Sequence, residues 1–269
     1  TPDTVQVIND GIIRGSGRIN TGVFRNRYLG QVRVDAGQSL VVDSASDFST
    51  GGGATPSEPL VNYGRIQVFG NSQAQAKLEF IRATSDPLSQ SPIRPLLNLP
   101  LTVPPAPQGA FVGGQISAQY ADLRFGSGLE NRSMLAFTAG TNNITGRVFS
   151  VDDGVIDPDG DGDTGDTAQV LVSGPGTTAV FHDVLAFGTG ADLNLVDGGK
   201  VVVLNQHSFI MGGGNLNIQL SYSHPSLITV GGDVGIGPFT TNNDLSLTLA
   251  SDVLSSLKHG DPFEIISFT

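Results

Sequence analysis

The chain has 269 residues, a formal net charge of −11, 36 Gly and 15 Pro, and neither Cys nor Trp. A length like this serves one long domain or two shorter ones. The missing Cys excludes a disulfide-stapled scaffold and thiolate chemistry. The acidic balance argues against nucleic acid and anionic membranes as partners. No apolar run reaches the ~18 residues of a membrane span.

A short phrase recurs from the start: Asn, a few residues, Gly, then alternating apolar residues. It reads Asn9-Asp10-Gly11-Ile12-Ile13, Asn20-Thr21-Gly22-Val23-Phe24, Asn26-Arg27-Tyr28-Leu29-Gly30-Gln31-Val32 and Asn62-Tyr63-Gly64-Arg65-Ile66. Self-similarity at about 20 residues marks a β-solenoid, whose coils each bury an apolar face on the next. Period-two alternation predicts strands at Gln31–Val34, Ser39–Val42, Arg65–Phe69 and Lys77–Ile81. Gly and Asn between the runs suit corners where φ is positive, and interior Asn can stack in ladders. Residues 1–83 are therefore expected to form the first solenoid coils.

Residues 84–110 break the pattern with seven prolines, interleaved with Leu88, Ile93, Leu96, Leu97, Leu99, Leu101 and Val103. Proline cannot donate to a strand ladder, and the stretch is too apolar for a disordered tail. It is read as one extended insertion, packed on the solenoid flank or on a neighbouring molecule, or equally as an intramolecular flap covering core.

Residues 111–269 resume the solenoid. Strands are predicted at Asp122–Phe125, Gln169–Val172, Ala191–Leu195, Lys200–Leu204, Asn215–Leu220 and Asp244–Leu249. The helical candidate is Ser251–Lys258, with Ser251 or Asp252 as cap and Gly260 as stop. A last apolar strand is expected over Phe263–Phe268, where it would present an edge open to pairing.

An Asp-rich loop over 152–168 interrupts this half, with seven carboxylates in the fifteen residues Asp152 to Asp166. Asp157, Asp159 and Asp161 match positions 1, 3 and 5 of an EF-hand loop, and Gly162 matches position 6. Ala168 stands where the bidentate Glu belongs, and no helices flank the loop. It therefore resembles the calcium loops of dockerin-type and thrombospondin-type repeats, with Asp163 and Asp166 completing the shell. Unpaired, these carboxylates repel one another, and Ca²⁺ relieves that. The predicted ligands are Asp157, Asp159, Asp161, Asp163 and Asp166, in a structural role; the alternative is an acidic loop without a cation.

No catalytic constellation stands out. His182, His207, His224 and His259 lack metal-ligand spacing, Asp152-Asp153 abuts the calcium loop, and the Gly runs lack the Lys of a phosphate loop. A non-enzyme is expected. Asn131-Arg132-Ser133 and Asn143-Ile144-Thr145 fit the glycosylation sequon. Charge is uneven, at +2 over residues 1–150 and −13 over 151–269; this is either a solvated surface without a partner or an asymmetry that lets the early part of one molecule attract the later part of another.

The phrases Gly70–Ile81, Gly113-Gly114-Gln115-Ile116, Leu123–Asn131, Met134-Leu135-Ala136-Phe137, Thr177–Asp183, Leu227–Gly237 and Gly260–Ile266 resemble exported bacterial β-solenoid repeats. Together they resemble the autotransporter-passenger-like proteins of planctomycetes and related bacteria that often carry a PEP-CTERM sorting tail. The resemblance implies an all-β, right-handed parallel β-helix, export, and a role at the cell surface or in the matrix; it implies no catalytic residues. The expected function is an extracellular structural protein that self-assembles through its solenoid ends and Pro-rich arm, stabilised by Ca²⁺. The alternatives are an adhesin or a module binding surface polysaccharide, and then a β-helix polysaccharide lyase or hydrolase, for which Arg147 is the basic residue nearest the Asp loop.

Overall fold

The computed structural model describes residues 6–44, 60–81, 95–100, 113–151, 168–204, 206–236, 245–256 and 265–268. Nine coils follow one another, each contributing a strand to each of three sheets. The first three coils are β1 (Gln6–Asn9), β2 (Ile12–Arg14), β3 (Gly17–Asn20); β4 (Val23–Asn26), β5 (Gln31–Asp35), β6 (Ser39–Asp43); and β7 (Leu60–Asn62), β8 (Arg65–Phe69), β9 (Ala76–Ile81). Then come β10 (Leu96–Asn98), β11 (Gln115–Gln119), β12 (Ala121–Phe125); β13 (Leu129–Asn131), β14 (Met134–Ala139), β15 (Thr141–Thr145); and β16 (Val148–Ser150), β17 (Gln169–Ser173), β18 (Thr178–Phe181). The last three are β19 (Leu185–Phe187), β20 (Asp192–Val196), β21 (Lys200–Val203); β22 (Phe209–Met211), β23 (Asn215–Leu220), β24 (Leu227–Val230); and β25 (Val234–Ile236), β26 (Leu245–Leu249), α1 (Ser251–Ser256), β27 (Ile266–Phe268).

Every third strand pairs in parallel, so each sheet runs the length of the molecule and the chain forms a parallel β-helix. In-register pairing sets like residues above like. One inward row of the second sheet runs Val32, Ile66, Ile116, Leu135, Val170, Leu193 and Leu216, all buried. Alternation along each strand sends the intervening polar residues outward. Aromatic rings meet in the interior too: Phe80 stacks on its register partner Phe125 at a centroid separation of 6.1 Å, and Phe24 of the first sheet meets Phe80 across the core at 6.2 Å. Each such ring pair adds about 0.5–1.5 kcal/mol beyond the area it buries.

The corner between the first and second sheets carries the Asn phrase. Asn9, Asn26, Asn62, Asn98 and Asn131 occupy one register position of the first sheet. Their side chains form a ladder: each Nδ2 donates to the next Oδ1, at 2.8, 2.7, 2.7 and 2.8 Å. Asn131 closes it by donating to Ser150 Oγ at 3.1 Å. Asn9, Asn26, Asn98 and Asn131 also donate to backbone carbonyls, as Asn26 does to Arg65 O at 3.2 Å and Asn98 to Met134 O at 3.1 Å. A buried amide is costly unless satisfied, and here each neighbour satisfies the next.

Glycine at this corner has a reason other than positive φ. A Cβ on Gly64 would collide with the Arg27 and Gly30 carbonyls, and one on Gly114 with the Asn62 carbonyl and the Asn98 amide. Close approach, not left-handed backbone, excludes a side chain there. Left-handed backbone occurs at neighbouring glycines, as at Gly113 beside Gly114, with φ of 84°, and at Gly37 on the next corner, with φ of 74°.

Two expectations change. Asn20 is outside the ladder; it lies exposed on β3 and accepts from Arg18 Nε at 3.1 Å. Within the Pro-rich stretch read as one extended insertion, β10 sits inside the first sheet between β7 and β13. Leu96 and Asn98 are buried there, while Pro95 and Pro100 flank the strand where no ladder donor is needed. The predicted helix is present at Ser251–Ser256.

Candidate functional site

The strands at the two ends of the β-helix differ from those inside. Among the described residues β1, β2 and β3 pair on one side only, as do β25, β26 and β27. On β26, Leu245 and Leu247 continue the inward rows of Leu216 and Ile218. They are 47 % and 44 % exposed, whereas Leu216 and Ile218 are buried. At the other end Val7, Ile13 and Ile19 continue the inward rows and are partly buried against the core. Ile12, in the outward row with Gln31, is 70 % exposed. Interior-facing side chains thus lie open at the last coil and are partly uncovered at the first.

Charge differs between the ends as well. Arg14 and Arg33 share Asp35, at 2.7 and 2.8 Å. Their hydrogen bonds, that from Arg33 first, hold the Asp35 carboxyl below its usual range against the opposing effect of burial. Arg18 pairs with Asp43, and Arg27 Nη1 lies 3.0 Å from Asp10 Oδ2. Near the far end, Asp252 on α1 holds the turn after β23. Its Oδ2 accepts from the Ser221 and Ser223 hydroxyls, each at 2.9 Å, and from the Tyr222 and Ser223 N–H groups at 2.9 and 2.8 Å. These bonds, that from the Ser223 N–H first, bring its pKa down to about 2.

On the outer flank of the first sheet, a cleft of about 280 Å³ is lined by Ile8, Arg25, Arg27, Tyr28 and Tyr63. Tyr28 and Tyr63 lie at the corner loops after β4 and β7, on successive coils. Their ring centroids are 5.3 Å apart and their planes inclined at 57°. Arg25 stands in the outward row between Ile8 and Val61.

The predicted calcium ligands Asp157, Asp159, Asp161, Asp163 and Asp166 lie outside the described residues. In sequence they fall between β16 and β17. Among the described residues no group of three or more His, Cys, Asp or Glu could hold a metal ion. The histidines are apart. His182 Nε2 lies 3.2 Å from Asn143 Oδ1, His207 Nδ1 3.7 Å from Asp183 Oδ1, and His224 Nδ1 3.1 Å from Ser223 Oγ; His259 is outside the described residues. Asn131 of the first sequon is buried in the ladder, which leaves it no amide to glycosylate in the folded protein. No helix among the described residues is long and apolar enough to cross a membrane.

The flank cleft was missed in the sequence because its residues are spread over three coils. The signal was present as aromatic residues just after the ladder Asn, in Asn26-Arg27-Tyr28 and Asn62-Tyr63. No family model, curated protein or solved structure matches the chain.

Proposed function

We propose that this protein is a structural component of a cell surface or extracellular matrix, which self-assembles by stacking the last coil of one molecule on the first coil of another. The observation that carries this reading is the exposure of Leu245 and Leu247 in rows that are otherwise buried. A second copy offers what those side chains lack: Val7, Ile13 and Ile19 continue the inward rows at the opposite end, and among the described residues the parallel strands there are paired on one edge only. Head-to-tail contact of two different ends does not close on itself, so it propagates into a filament. The charge of +2 on residues 1–150 and −13 on 151–269 favours that polarity over joining like ends. The resemblance to exported bacterial solenoids supplies the compartment. In this reading the loop from Asp157 to Asp166 binds Ca²⁺ and stiffens the insertion, and the Pro-rich segments contribute contacts along the flank.

The test is electron microscopy with sedimentation in millimolar Ca²⁺ and in EDTA, on the wild type and on Leu247→Asp. Wild-type filaments and an L247D protein that sediments as a folded single rod support the proposal. Wild-type protein that remains single rods at high concentration in Ca²⁺ overturns it. Filaments that persist in L247D overturn the end-to-end joint.

A further inference from the structure

We propose that the Tyr28–Tyr63 cleft is a binding site for a carboxylate-bearing sugar of an acidic polysaccharide. The argument begins with Arg25. Five arginines lie on the first two coils: Arg14, Arg18, Arg25, Arg27 and Arg33. Four have carboxylate partners in Asp35, Asp43 and Asp10. Among the described residues no ion pair engages Arg25, which is half-buried and lines the cleft. A guanidinium presents a planar fork that matches a carboxylate in two parallel hydrogen bonds. Arg27 on the same wall is neutralised by Asp10, so the cleft offers one cation, which suits one carboxylate.

The remaining walls fix the rest of the ligand. Tyr28 and Tyr63 meet at 57° and make an angled aromatic wall, with Ile8 as the aliphatic side. Tyrosine offers a rigid apolar ring with a polar tip. Sugars carry an apolar C–H face and a hydroxylated edge, and the tilted pair meets both. The volume of about 280 Å³ lies near the ~300 Å³ lower bound of small-molecule sites, which suits one sugar ring and not a side-chain cluster of a folded partner. The cleft lies on the flank of the β-helix, where a polymer can pass without entering the molecule. A neutral sugar would leave Arg25 without a partner on burial. The site stands whether or not the molecules stack end to end.

The experiment uses the full chain, dilute enough to remain single rods by sedimentation. Oligogalacturonate, its methyl ester and a neutral galactan oligomer are titrated by calorimetry and by tyrosine emission. The protein has four Tyr and no Trp, so quenching at two cleft rings is measurable. Expected is binding of the uronate, quenching of emission, and at least tenfold weaker binding of the ester and of Arg25→Gln, about the loss of one charge-assisted bidentate contact. Tyr63→Leu should weaken binding severalfold, and Lys200→Gln on the third sheet should leave it unchanged. Unchanged melting of R25Q separates lost contact from lost fold. No uronate binding, equal binding of ester and acid, or R25Q binding as well as wild type each overturns the proposal.

Discussion

Coils one to five and coils six to nine share a backbone register but fill one corner row in opposite ways. The row reads Asn9, Asn26, Asn62, Asn98, Asn131, then Ser150, Phe187, Met211 and Ile236. The early part satisfies buried amides by chaining them. The later part replaces the chain with apolar packing, including a Phe187–Phe209 ring contact at 6.1 Å. Parallel in-register stacking thus requires each residue to agree with its neighbours above and below, and leaves the chemistry of the row free. Ser150 makes the change possible, because a hydroxyl accepts the last amide without presenting an amide proton of its own. The two solutions fail differently when broken.

Phe187→Asn transplants the early solution into the late part and should be the costliest change. It removes a buried ring and sets an amide between Ser150 and Met211, which cannot continue a ladder. A loss of about 3–5 kcal/mol is expected from the ring alone, read by chemical denaturation. Stability within 1 kcal/mol of wild type would show that the late row tolerates polarity and that the contrast is superficial.

Asn62→Ala breaks the ladder at its middle and should rank second. Asn26 Nδ2 and Asn98 Oδ1 each lose a partner, and an orphaned buried polar group costs about 1–3 kcal/mol. Because Asn26 Nδ2 keeps its bond to Arg65 O, a loss of about 2–4 kcal/mol is expected, below the full cost of two orphaned groups, with faster amide exchange on coils two to four than on coils seven and eight. Exchange that rises evenly over the molecule would mean that the ladder does not stabilise its own coils.

Most of the strands were legible because alternation is clear on the second sheet, as in Gln31-Val32-Arg33-Val34 and Asn215-Leu216-Asn217-Ile218. The Asn-to-Gly spacing was legible too, although its cause is close packing at Gly64 and Gly114. The first sheet was harder. Its strands run to three or four residues, too short for a period to show, which is why β10 was hidden among prolines. The signal there is a triplet, apolar-x-Asn, shared by Leu60-Val61-Asn62, Leu96-Leu97-Asn98 and Leu129-Glu130-Asn131. The candidate sites were less legible because both are made by stacking. Leu247 reads as an ordinary core residue until its row is seen to stop being covered, and Arg25 reads as one more surface charge until its neighbours are seen to be paired.

The smallest expected effect sharpens the comparison at the last coil, where a charge does what the amide ladder does earlier. Asp252 is negatively charged in the fold down to about pH 2, while an unfolded Asp titrates near pH ~3.9. A folded pKa below the unfolded one means that the carboxylate favours the fold above about pH 4, and that this contribution is lost as pH falls toward 2. The Asn ladder has no titrating group and is insensitive over the same range. Acidification from pH 5 to pH 2.5 should therefore loosen residues 221–224 before residues 60–69, followed by amide exchange along the chain. Asp252→Asn should produce the same local loosening at pH 7, with a smaller change in overall stability than either core substitution. Equal pH dependence of the two regions would place the acid sensitivity elsewhere, with the shared Asp35 of Arg14 and Arg33 as the next group to examine.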